Sequence, residues 1–104
     1  MNLSDLPFIV KDGNDSSHDI VVYALSTCGF CKRALAFLDE KGFAYKYIHL
    51  DHLPLETKTE VKKILRERFK ENPAFPFAVI DDSDHLVGFI QPDWVRTLGV
   101  PEAT

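Results

Sequence analysis

"STCGFCKRAL" occupies residues 26–35 and holds the only two cysteines of a 104-residue chain, Cys28 and Cys31. Two thiols three positions apart are half of a metal site, a stapling disulfide, or a pair that shuttles electrons, and their surroundings separate these readings. Immediately upstream, "IVVYAL" (residues 20–25) is an unbroken β-branched and apolar run, the mark of a strand buried on both faces. Downstream, "CKRALAFLDEKG" (residues 31–42) sets Ala34, Leu35, Phe37 and Leu38 on one side. Lys32, Arg33, Asp39, Glu40 and Lys41 fall largely outside it, and the run stops at Gly42, where a helix C-cap is expected. The cysteines therefore fall where a buried strand turns into a helix.

That position suits exchange chemistry. Cys28 can face the unpaired N–H groups of the first helical turn, and Cys31 lies one turn along, close enough for a disulfide to form and open with little backbone movement. The helix N-terminus and the positive charge of Lys32 are expected to hold the Cys28 thiolate below the free thiol pKa of ~8.5, which makes Cys28 the attacking nucleophile. Cys31, expected to be the more buried, keeps a higher pKa and resolves the mixed disulfide. Gly29 and Phe30 between them leave the loop compact and the first sulfur accessible.

Working outward, "FAYKYIHLD" (residues 43–51) alternates as a second strand. "PLETKTEVKKILRERFKEN" (residues 54–72) carries Val61, Ile64, Leu65 and Phe69 at helical spacing, with Thr57 or Thr59 as its expected N-cap. "FPFAVIDD" and "HLVGFI", separated around "DDSD", read as a hairpin, and "PDWVRTLGV" (residues 92–100) as a last helix with Asp93 as N-cap and Gly99 as its stop. The order is β-α-β-α-β-β-α, an α/β fold whose mixed four-stranded sheet has a parallel pair and an antiparallel terminal hairpin. Residues 1–19 read as an N-terminal extension that either adds an edge strand or hangs loose. Residues 20–104 form one domain.

Composition narrows the chemistry. Apolar residues make up 45% and charged residues 27%, ordinary globular usage, so no disulfide staple is needed to build a core. A formal charge of −4 argues against nucleic acid as a partner. No stretch approaches the ~18–20 apolar residues of a membrane span, and the start lacks a basic segment followed by a long apolar run. The expectation is a cytoplasmic monomer that does not engage membranes. In a reducing compartment such a pair is catalytic or metal-binding more often than structural. Zinc competes, but it would need further ligands from His18, His49, His52 and His85, and there is no second cysteine pair.

With these elements in this order, residues 20–100 resemble the glutaredoxin branch of the thioredoxin-like fold. "IVVYAL", "STCGFCKRALAFLDEKG", "YIHLD", the proline of "AFPFAVID" and the glycine of "LVGF" carry the resemblance. It implies a thiol-disulfide oxidoreductase that reduces protein disulfides or glutathione mixed disulfides, with Cys28 and Cys31 catalytic and no metal required. It also implies a cis Pro76 facing the cysteines, with the Phe75 backbone pairing to bound peptide or glutathione. Thr27, Gly29, Phe30, Gly88 and Asp93 complete the implied substrate or glutathione surface. Among the aromatic residues, Phe30 and Phe75 are expected as contacts, and Phe77 and Phe89 stay open between rim and core. Trp94 is expected as a helix anchor and Asp51 as a turn residue.

Two departures bear on the electron donor. Leu25 stands where many glutaredoxins place a lysine for a glutathione carboxylate, and Val87-Gly88-Phe89 keeps one glycine of the usual pair. Gly88-Phe89 followed by Pro92 and Asp93 is similar to the NrdH-type redoxins, which take electrons from thioredoxin reductase. Glutathione and thioredoxin reductase both stand as donors; Arg66, Arg68 and Lys70 read first as a solvated helix face and second as cations that would replace the missing lysine. "CGF" also resembles the monothiol members that hold an iron-sulfur cluster. Cys31 replaces their serine, and their tryptophan-proline and cis-proline surroundings are missing, so a cluster-binding carrier without turnover is the alternative.

Overall fold

The computed structural model describes residues 2–100. Five strands, β1 (Ile9–Lys11), β2 (Ile20–Ala24), β3 (Tyr45–His49), β4 (Phe77–Ile80) and β5 (Asp84–Val87), form one sheet in the order β1-β3-β2-β4-β5. β2 and β3 are parallel, and every other pair is antiparallel. Three helices, α1 (Gly29–Glu40), α2 (Leu55–Phe69) and α3 (Gln91–Leu98), complete the expected order. Of the two outcomes open to the N-terminal segment, the structure has the edge strand: Ile9 lies opposite Tyr47 and Lys11 opposite Tyr45.

The sheet divides two cores. On one face Val22, Ala24, Tyr45 and Ala78 pack against Cys31, Ala34, Phe37 and Leu38 of α1 and Trp94 and Leu98 of α3. On the other, Tyr23, Ile48, Phe77 and Val79 pack against Val61 and Leu65 of α2, with Leu3, Leu6 and Phe8 closing the margin. β2 feeds both cores because its side chains alternate between faces, which is why its sequence is apolar throughout. Truncating a side chain as large as the fully buried Phe77 or Trp94 to alanine costs about 3–5 kcal/mol at such sites.

The helix starts differ from the sequence reading in two places. α2 begins at Leu55 with Pro54 as N-cap, so Thr57 and Thr59 lie inside the helix. Proline fixes the direction of entry but offers no side-chain acceptor, so the first-turn N–H groups have no side-chain cap, and Leu55 and Glu56 there are exposed to solvent. α3 begins at Gln91 with Ile90 as N-cap, so Asp93 is a first-turn residue, where its charge still meets the positive end of the helix. The hairpin turn is tight, with φ of +54° at Asp81 and +59° at Asp82, a conformation that Asp tolerates better than most residues.

Candidate active site

Both cysteines stand where β2 ends, and the turn between them and the strand is closed by a Cys28 N–H bond to Leu25 O at 3.2 Å. Cys28 is the N-cap of α1, and its Sγ accepts the Cys31 backbone N–H at 3.1 Å. A sulfur in that position satisfies one of the helix's orphan donors, the service that Ser or Asp oxygens give elsewhere. The Cys28 thiol is half-buried and donates to Phe75 O at 3.7 Å. Cys31 is 1% exposed, and burial, reinforced by its contact with Cys28, pushes its thiol up to about 12. Both thiols are free. One sulfur is thus presented to solvent at a helix N-terminus, and the other is held protonated directly behind it.

The opposite wall comes from the chain entering β4. The Phe75-Pro76 peptide is cis, as the glutaredoxin resemblance implies and contrary to the reading that cis-proline surroundings are missing; Pro76 is buried, and its carbonyl accepts the Gly88 N–H at 2.8 Å. Gly88 has φ of +74°, which glycine adopts without the penalty other residues meet, and its own carbonyl accepts Trp94 Nε1–H at 3.0 Å. Gly88 therefore ties Pro76 to α3. β4 begins at Phe77, after a proline that has no N–H for a ladder, so strand alternation does not extend back to Phe75. Phe77 is buried on the α2 side, whereas Phe75 is half-buried and touches both cores.

The remaining expected residues divide. Thr27, Gly29 and Phe30 are exposed around Cys28, and Phe30 lies under the Arg33 guanidinium at 4.6 Å. Phe89 packs on Phe37 and Trp94, with centroids at 5.6 and 5.4 Å, and belongs to the core. Asp93 pairs with Arg96 one turn along. Lys32 is exposed on the first turn of α1, its backbone N–H bonded to Cys28 O at 3.1 Å. Arg68 turns to the carbonyl and carboxylate of Asp82 in the hairpin, 2.6 Å from each, and Lys70 is the left-handed cap of α2. Arg68 and Lys70 thus sit toward the hairpin end of α2.

Two features escaped the sequence. Lys62, earlier on α2, reaches Phe75, its Nζ 5.8 Å from the ring centroid. Asp51 does lie in a turn, the short 3-10 segment Leu50–His52, but its carboxylate also accepts the Ser26 backbone N–H at 2.9 Å and the Ser26 hydroxyl. These bonds hold it down at about 2, below the ordinary carboxylate range. A hydroxyl residue two positions before Cys28 and an acid just past the next strand were the available signal. Among the described residues, no three His, Cys, Asp or Glu side chains converge as a metal-binding group.

Residues 20–85 match the glutaredoxin family model. A glutaredoxin 1 of Rickettsia conorii is 41% identical over 46 residues, 44% of this chain and 45% of that one. The alignment thus spans about half the length of the curated relatives it matches. Among solved structures, the glutaredoxin of Methanosarcina mazei has a TM-score of 0.75 at 26% identity and covers 94% of this chain and 95% of its own. Methanoredoxin from Methanosarcina acetivorans has a TM-score of 0.67 at 32% identity over 78% of this chain and 84% of its own. The matched span contains the β2 to α1 turn with its two thiols, the proline wall and the strands between them, and by it the chain belongs to the glutaredoxin family.

Proposed function

We propose that this protein is a dithiol oxidoreductase that reduces protein disulfides or glutathione mixed disulfides. The observation that carries the reading is the pairing of a solvent-reachable Cys28 Sγ, aligned on the Cys31 N–H at 3.1 Å, with a buried Cys31 thiol. Cys28, as thiolate, attacks a substrate disulfide and forms a mixed disulfide while one substrate sulfur leaves as thiolate. Cys31 then gives up its proton and attacks Cys28 Sγ, the second substrate sulfur leaves, and the protein is left oxidised by two electrons. Lys32 supplies a positive charge one turn from the attacking sulfur.

Thr27, Gly29, Phe30, Phe75, Pro76, Gly88 and Asp93 form the substrate surface in this reading. The Phe75 backbone receives an extended substrate, and Gly88 and Asp93 serve it from the α3 side. Residues 20–104 act as the redox domain, with residues 1–19 an added margin. Such a protein works in the cytoplasm as a monomer; no described helix is long and apolar enough to cross a membrane.

The electron donor is decided by reducing the oxidised protein with NADPH in two parallel reactions, one with glutathione and glutathione reductase, the other with thioredoxin reductase. Turnover with glutathione means that Leu25 and the single Gly88 are compensated. Turnover with thioredoxin reductase alone makes the protein a redoxin in a glutaredoxin frame. No turnover in either would overturn the reading.

A further inference from the structure

We propose that the Cys28 end of the molecule selects disulfides flanked by acidic residues, through two cations seated on the aromatic rings beside the thiol. The inference rests on the oxidoreductase reading and adds the class of substrate.

The formal charge of −4 conceals a separation of charge along the sheet. At the end remote from the cysteines, beyond Ile20 and Ile80, the loop before β2 and the β4–β5 hairpin bring together Asp12, Asp15, Asp19, Asp81, Asp82 and Asp84, an excess of carboxylates over the cations that pair there, Arg68 on Asp82 and His18 on Asp81. Asp19 and Asp81 are joined there, by Asp81 N–H to Asp19 O and by Asp19 N–H to Asp81 Oδ1, each at 2.8 Å.

The cysteine end is different. Phe30, two residues from Cys28, is 55% exposed and carries the Arg33 guanidinium 4.6 Å above its ring. Phe75, whose carbonyl lies 3.7 Å from Cys28 Sγ, carries Lys62 Nζ at 5.8 Å. Lys58, one turn before Lys62, falls on the same stripe of α2.

The carboxylates nearby do not cancel these cations. Asp93 is paired with Arg96, Asp51 keeps its charge but is turned onto Ser26, and Glu56 and Glu60, two positions from their lysines, face away from that stripe; among the described residues none of these carboxylates forms an ion pair with Arg33 or Lys62. A cation resting on a ring is held at a defined place while keeping donors free, and the ring beside it offers apolar contact. An extended substrate advances about 3.3 Å per residue, so side chains one or two positions from the attacked sulfur pass over these flanking groups. Asp and Glu there meet Arg33 and Lys62, and the acidic far pole turns the same substrate away from the wrong end.

The test uses the full chain, prereduced, and three synthetic peptides closed by one disulfide and identical except for Glu, Gln or Lys on both sides of one cysteine. Acid-quenched single turnovers give the second-order rate of peptide reduction without any reductase present. The Glu peptide is expected to react about tenfold faster than the Gln peptide, and the Lys peptide slower still, in dilute buffer. The spread should collapse at about 1 M sodium chloride, where charges are screened beyond ~3 Å.

Arg33→Ala with Lys62→Ala should narrow the ratio of the Glu to the Lys peptide rate, whereas Lys11→Ala, on the exposed edge strand, leaves that ratio intact. Equal rates for the three peptides, or a spread that survives the double substitution, would overturn the proposal while the oxidoreductase reading stood. Failure to reduce any peptide, the Gln one included, would overturn that reading and the proposal with it.

Discussion

Asp51 grips Ser26 with both carboxylate oxygens, one on the backbone N–H at 2.9 Å and one on the hydroxyl. Ser26 is part of the turn closed by Cys28 N–H on Leu25 O, so the segment that delivers the nucleophile to α1 is anchored from the end of β3. Asp51→Ala should slow alkylation of Cys28 by iodoacetamide several-fold near pH 7, because the sulfur spends less time as the N-cap. Asp51→Asn, which keeps one acceptor, should recover much of the rate. An alanine variant that alkylates at the parent rate across the pH range would show that the anchor does not position the thiol. The anchor needs the carboxylate ionised. It contributes fully above the ordinary Asp range near 4 and is lost only as pH falls through the depressed value of about 2.

His18 joins three elements at the acidic pole. Its Nδ1 faces Asp81 Oδ2 at 2.7 Å and its Nε2 faces Leu98 O, at the end of α3, at 3.1 Å. Both partners are acceptors, so the imidazolium serves both at once, and the Asp81 contact raises its pKa above the ordinary value of about 6.5. Stability from this group is therefore fully present below about pH 6.5 and lost as pH rises through the raised value. Asp81, lowered chiefly by the same bond, contributes above about pH 4 and is lost as pH falls through its own depressed value. Thermal unfolding followed from pH 5 to 9 should show a decline on the alkaline side that His18→Ala flattens. An identical profile in the variant would count against the bridge.

Three glycines should respond differently to alanine. Gly29 has open space around the added methyl and an ordinary φ, so Gly29→Ala should be close to neutral in denaturant unfolding. Gly88 is equally open, but at φ of +74° an L side chain is strained, and Gly88→Ala should lose about 1–2 kcal/mol. At Gly13 the methyl would meet Phe43 C and O, both at 2.4 Å, backbone atoms that cannot swing aside. Gly13→Ala should release the edge strand, read as faster exchange of the β1 amides that face β3. Unchanged protection there would refute the close approach.

Much of this architecture is written in local pattern. The double-sided burial of β2 shows as an unbroken apolar run, and the register of α1 shows in Ala34, Phe37 and Leu38, all buried. What escaped depends on distance in space. Asp51 looks like any turn acid until the parallel pairing of β2 with β3 brings it beside Ser26, 25 residues away. Lys62 looks like solvated charge until the path from α2 to β4 folds Phe75 beneath it. The helix starts at Pro54 and Ile90 escaped for a local reason: hydroxyl and carboxylate caps are favoured but not required, and here they stand one or more positions inside the helix.

The division of labour between the thiols is tested most directly with a glutathionylated model protein and the variants Cys28→Ser and Cys31→Ser, read by intact mass. The account predicts that Cys31→Ser retains removal of the glutathione and accumulates a covalent adduct at Cys28, because nothing stands behind that sulfur to resolve it. Cys28→Ser should form no adduct and show no exchange, its remaining thiol being buried and held up at about 12. Exchange at the parent rate by Cys28→Ser, or adducts mapping to Cys31, would contradict the assignment of nucleophile and resolving thiol.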